Sequence, residues 1–252
     1  MHKQEDSFPI HEAGMYNLLS DYYKYTNPEL HIYYYQKHLQ SLKKALPHLS
    51  ITSDIERQSE YGKIRFIHAS VRKPVVDIFI NGVNIFKEVS FKATTNEMTL
   101  PVGRYQVDIY ETGKMVNSLC SQKILVESNI FHTITFLESA NQYLKLYSYH
   151  EDPFVHPAET KLRFIHLHPK LPALNIAVQK GDVVFPGLHL KAATSYLGLN
   201  PMTVYLEARD GETNSQIASF PPLTLKENKA YSALIVEGST EETPAEILLV
   251  SI

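Results

Sequence analysis

The hexapeptide Lys63-Ile-Arg-Phe-Ile-His68 returns almost unchanged as Lys161-Leu-Arg-Phe-Ile-His166, and the residues downstream of each copy keep step with it. Val75–Ile80 answers to Ala173–Val178, Gly82 to Gly181, Phe91–Thr95 to Leu190–Thr194, and Leu100 to Leu199. Asn129 answers to Asn228, and Glu138 to Glu237. A chain that repeats itself this way must use one fold twice. The repeat divides the β-rich part into two domains of roughly 90 residues each.

Within each copy the pattern is that of strands. Ile64, Phe66 and His68 alternate with Arg65 and Ile67, which is the period of two that extended chain imposes. Asn81-Gly82 is a hairpin signal, since both central positions of a type I′ turn take positive φ. Further strands are expected at 85–91, 97–100, 105–110, 119–126, 131–137 and 143–149. Seven or so short strands separated by regular turn signals predict a mainly β protein. The expected fold is two tandem antiparallel β-sandwich domains of immunoglobulin-like or transthyretin-like type. The first should span 63–152 and the second 161–252, with 153–160 a short proline-bearing linker.

The N-terminal part differs. Residues 1–11 read as a flexible arm and 12–47 as a helical hairpin. Met15, Leu18, Leu19, Tyr22 and Tyr23 recur at helical spacing. Asn27-Pro28 breaks the pattern and restarts it, because the residue before proline avoids the α region and proline suits a first helical turn. Ile32, Tyr35, Leu39, Leu42 and Leu46 then form an apolar seam suited to packing on another helix. This pair could fold back on the sandwiches, self-associate or dock on a protein partner. Its tyrosines favour a contact role, with Tyr22, Tyr35, Leu39 and Leu42 as the expected interface. Residues 48–62 lack periodicity and read as a second linker.

Composition excludes several functions. The 252 residues carry a net charge of −3, so there is no general attraction to nucleic acid. No apolar run approaches the ~18 residues of a membrane span. The single cysteine, Cys120, rules out a disulfide framework. The start lacks the apolar core of a secretory signal, so synthesis in the cytoplasm is expected. Incorporation into an external assembly such as a spore coat is compatible with that.

Catalytic motifs are missing: there is no nucleophile elbow, no phosphate-cradling glycine loop and no H-E-x-x-H. Cys120 has no base near it in sequence. His68 and His166 hold equivalent strand ends, and His168 comes two residues later on the same face. With His150, Glu151, Asp152 and His156 they offer imidazole and carboxylate, although their spacing fits no metal site, and no cofactor is expected. Asp77 has Asn175 as its counterpart, which favours turn organisation over general-base work, since an amide cannot act as a base. Tyr143, Tyr147 and Tyr149 share strand parity and could form an aromatic binding face, or could pack across strands.

Arg65-Phe-Ile-His-Ala-Ser70, Pro74-Val-Val-Asp-Ile-Phe-Ile-Asn-Gly82 and Leu100-Pro-Val-Gly-Arg-Tyr-Gln-Val107 together resemble the bacterial DUF4397 domain. The second copy resembles it less, with Leu167-His-Pro169, Asn175 and Asn200-Pro-Met202 at the matching places. The resemblance implies β-sandwich domains, often in tandem, with no established activity. The sequence therefore points to a non-enzymatic structural or protein-interaction module. A carbohydrate- or other ligand-binding module is the alternative, and a histidine-held metal site a third.

Overall fold

The computed structural model describes residues 8–24, 26–45, 60–73, 75–138, 143–238 and 244–252. The chain divides into two compact units, Met1–Glu60 and Tyr61–Ile252.

The first unit is a pair of helices, α1 (Phe8–Tyr23) and α2 (Pro28–Ala45). Helix α1 begins at Phe8, so the expected arm over 1–11 is helical from that point, and residues 1–7 lie outside the described residues. Asn27 caps α2 by accepting the Leu30 N–H at 3.2 Å, and Pro28 takes the first helical position, where its missing N–H costs nothing.

The face that joins the helices differs from the expected seam. Ala13, Ser20 and Ser41 are buried. Ser41 donates to Glu12 at 3.1 Å, His38 Nδ1–H donates to the Ala13 carbonyl at 2.8 Å, and the Ser20 hydroxyl pairs with His31 Nδ1 at 2.9 Å. Tyr34 stacks between Tyr16 and Tyr23. Small residues let the helices approach, and the polar pairs hold them in register. The apolar stripe predicted to be the seam is turned elsewhere: Ile32, Tyr35 and Leu39 are exposed and Leu42 half-buried. Leu46 lies outside the described residues.

The described residues of the second unit form eighteen strands. The first half holds β1 (Tyr61–His68), β2 (Val75–Ile80), β3 (Val83–Ser90), β4 (Met98–Pro101), β5 (Gly103–Glu111), β6 (Lys114–Val126), β7 (Phe131–Glu138) and β8 (Leu144–Glu151). The second holds β9 (Thr160–His166), β10 (Leu174–Val178), β11 (Val183–Leu188), β12 (Leu197–Leu199), β13 (Met202–Val204), β14 (Leu206–Asp210), β15 (Gln216–Ser219), β16 (Leu223–Leu225), β17 (Lys229–Glu237) and β18 (Ala245–Ser251). Tyr61 and Gly62 thus belong to β1 rather than to the expected linker, whose residues 48–59 lie outside the described residues.

Sheet order repeats between halves: β4-β1-β7-β8 opposite β3-β2-β5-β6, then β12-β9-β17-β18 opposite β11-β10-β14-β15. Pairing is antiparallel except for β1 with β7 and β9 with β17, which run parallel. Asn81 and Gly82 both take positive φ in the β2–β3 hairpin, as the turn requires. One difference separates the halves. β5 and β6 pair along their whole length, from Gly103 opposite Val126 to Glu111 opposite Lys114. In the second half this ladder is split into β13–β16 and β14–β15. Pro221 and Pro222 lie in the gap, and proline cannot donate to a ladder.

Each sandwich has its own core, around Phe66, Ile78, Ile109 and Phe136 in the first and Phe164, Ile176, Ala208 and Ile235 in the second. A third apolar cluster joins Ile67, Leu137 and Tyr149 to Ile165, Leu234 and Val250. The even-numbered positions of β1 therefore face the sandwich interior, while Arg65 and Ile67 face the other copy. Both faces of this strand are buried.

Candidate functional site

The polar centre of the second unit lies in this seam. Glu151, the last residue of β8, is fully buried between Arg65 of β1 and Arg163 of β9. Arg163 Nη2 donates to its carboxylate at 2.6 Å and Arg65 Nη2 at 3.3 Å. The hydroxyls of Thr133, Ser232 and Tyr196 donate to the same group. Each guanidinium also bonds a hydroxyl through Nε, Arg65 to Thr133 and Arg163 to Ser232. The remaining arms cross over. Arg65 Nη1 donates to the Ser251 carbonyl at 3.0 Å, and Arg163 Nη1 to the His150 carbonyl at 2.8 Å. The strand registers make His150 and Ser251 equivalent, so the two arginines exchange matching contacts across a local two-fold relation. Only a planar fork with fixed donors fits three partners at once. Burial, with the carboxylate beside it, holds the Tyr196 hydroxyl protonated well above the usual tyrosine range.

The sequence pattern does not single out these residues as a site. It does carry a signal for them: an arginine held in both copies at the centre of an otherwise apolar strand. Glu151 reads in the sequence as a neighbour of the linker histidines, whereas its carboxylate is committed to the two arginines.

Where β1, β7, β9 and β17 end, a cleft of about 500 Å³ opens between the copies. Its walls carry Arg72 paired with Glu138 at 3.3 Å and Lys170 paired with Glu237 at 2.6 Å. The walls carry three cations against two carboxylates, and the third cation, Lys191, lies over the Tyr147 ring at 5.0 Å.

The candidate histidines are tied to backbone. His68 Nε2–H donates to the Lys73 carbonyl while Nδ1 accepts the Ser70 N–H. His166 does the same with the Pro172 carbonyl and the His168 N–H, and His168 with the Pro244 carbonyl and the Lys170 N–H. With both ring nitrogens used, none offers a lone pair to a metal. Burial lowers the His68 pKa to about 4, partly offset by the Lys73 hydrogen bond, and burial lowers that of His166. Both rings are neutral. Among the described residues no group of three His, Cys, Asp or Glu side chains is placed to hold a metal ion.

Asp77 Oδ1 accepts the Glu88 N–H at 2.8 Å and the Thr112 hydroxyl at 3.1 Å. Asn175 Oδ1 accepts the Gly187 N–H at 2.9 Å. Glu88 and Gly187 both have positive φ, so each side chain pins a left-handed kink in the neighbouring strand. Cys120 is buried in the first core, and burial together with the Asp108 charge pushes its thiol up to about 11.

The three tyrosines do not form one open face. Tyr143 precedes β8 and is exposed, Tyr147 is half-buried in the seam, and Tyr149 is buried there with its hydroxyl on the Lys191 carbonyl at 3.0 Å. The hairpin candidates are the accessible ones: Tyr22 is 72% exposed and Tyr35 49%.

No curated protein matches this chain. Two solved structures with low likeness are the Bacillus anthracis TIE protein (13% identity, TM-score 0.23, covering 75% of this chain and 34% of that one) and a candidate cell adhesion protein from Bacteroides ovatus (11% identity, TM-score 0.20, covering 76% and 96%). This chain thus spans about a third of the TIE protein's length. Such scores establish neither fold nor function. The family comparison is informative over the first sandwich and the start of the second: residues 62–177 carry a DUF4397 domain, a domain of unknown function.

Proposed function

We propose that the chain is a non-enzymatic structural or protein-interaction module, assembled through its helical hairpin and presenting the paired sandwiches as one body. We also read the second sandwich as a divergent copy of the same DUF4397 domain. It supports this that sheet order and the Asp77/Asn175 contact recur.

The observation that carries the reading is the exposure of large apolar side chains on both helices: Leu18 (72%), Tyr22, Ile32, Tyr35 and Leu39. Helices of a hairpin normally turn their apolar stripe inward, and apolar surface left outside is characteristic of contact sites. A carbohydrate platform is less well supported, because Tyr149 is enclosed.

Hydrogen exchange on the full chain at low and high protein concentration tests this. Amides of α1 and α2 should gain protection as concentration rises, or on adding extract from the native cell. Hairpin protection unchanged under both conditions would contradict the reading.

A further inference from the structure

A cavity of about 290 Å³ lies in the second sandwich, with walls from strands β9 to β14. Phe164, Phe185, Leu199, Val204 and Leu206 line it, and Thr203 and Tyr205 are the lining residues that carry a polar side-chain group. Around it stand Val178, Val184, Leu197, Met202 and Tyr205, each exposed although apolar or aromatic. Among the described residues from Thr160 to Ile252, these five are the exposed large hydrophobic ones. They gather at one place.

The first sandwich shows what belongs in such a space. Registers of β4 on β1 and β12 on β9 make Thr99 equivalent to Gly198. The same step makes Tyr105 equivalent to Val204 and Gly103 to Met202. Tyr105 packs on the first core, its ring edge facing Gly103 and its hydroxyl donating to the Pro101 carbonyl at 2.8 Å. The second copy has valine at that position, and its β13–β16 ladder is separated from β14–β15. A ring present in one copy is missing from the other, and an apolar hollow lies at the matching position.

We propose that this hollow is a binding site for a small uncharged aromatic molecule with a ring of tyrosine size. An apolar cavity of about 150 Å³ already suffices for benzene. Sugars and ions are disfavoured, since a wall of carbon leaves their polar groups without partners. The site is built by the second sandwich alone.

The test uses p-cresol, the tyrosine side chain as a free molecule, with methyl NMR on the full chain. The methyls of Leu199, Val204 and Leu206 should shift saturably while those of Leu100 and Val107 in the first sandwich stay still. Val204→Tyr, which restores the ring in place, should weaken p-cresol binding roughly tenfold or more. Should that variant not fold, Tyr105→Val provides the converse, a second site that shifts Leu100 and Val107. Absence of saturable shifts at Leu199, Val204 and Leu206 would overturn the proposal. So would equal shifts from glucose, or a tyrosine-bearing peptide that binds where free p-cresol does not.

Discussion

Glu151 of the first copy and Arg163 of the second meet at 2.6 Å in the interior of the Tyr61–Ile252 unit, and the same carboxylate also serves Arg65 of its own copy. A buried charge is costly unless paired, and one carboxylate between two guanidiniums leaves little slack. Glu151→Ala should therefore destabilise this unit by about 3–5 kcal/mol in denaturant unfolding. Replacing the trio together, with Arg65→Met, Arg163→Met and Glu151→Leu, should cost far less, because no charge is left stranded. A triple variant as unstable as Glu151→Ala would contradict this.

The neutral, buried His68 gives stability a defined pH dependence. Its folded pKa, about 4, lies below the ordinary value of 6.5. Between those values the unfolded chain takes up a proton that the folded chain refuses. This contribution is therefore full above pH 6.5 and falls as pH drops toward 4, by at most about 3 kcal/mol. His68→Gln should lower stability at pH 7 and flatten the profile in that window relative to the parent. Parallel profiles would contradict the assignment.

Asp77 needs only an acceptor oxygen. Asp77→Asn should be nearly neutral, as Asn175 already shows in the second copy, while Asp77→Ala should cost about 1–3 kcal/mol by orphaning the Glu88 N–H. Glu88→Gly, the residue present at Gly187, should gain about 1 kcal/mol by relieving a positive φ. Thermal unfolding of the three variants checks all of this.

Cys120 is buried and its thiol is held neutral up to about 11. Alkylation by iodoacetamide at pH 8 should be negligible in the folded chain and rapid in denaturant. Fast labelling of the native protein would show that the first core opens.

Much of the fold was legible in the residues. The repeated hexapeptide, the Asn81-Gly82 turn and the period-two strands led to paired β-sandwiches, because local pattern and turn chemistry determine them. The seam was hidden. A strand buried on both faces reads as apolar whether its second face meets a sheet or a sister copy, so Ile67 and Tyr149 carried no label saying which. The hairpin was legible as helices but not in its packing. Periodicity identifies an apolar stripe, whereas Ala13, Ser20 and Ser41 show that small residues with hydrogen bonds form the contact. The hollow at Val204 required the registers, since only they set it beside Tyr105.

The most direct test of the interaction reading is mass by light scattering on the full chain, alongside Leu18→Glu with Ile32→Glu. Both substitutions lie on exposed positions and should leave the fold intact by circular dichroism. The account predicts a parent mass above one chain that rises with concentration, and a monomeric variant. A parent and variant of identical mass, with identical capture of proteins from the native cell, would contradict it.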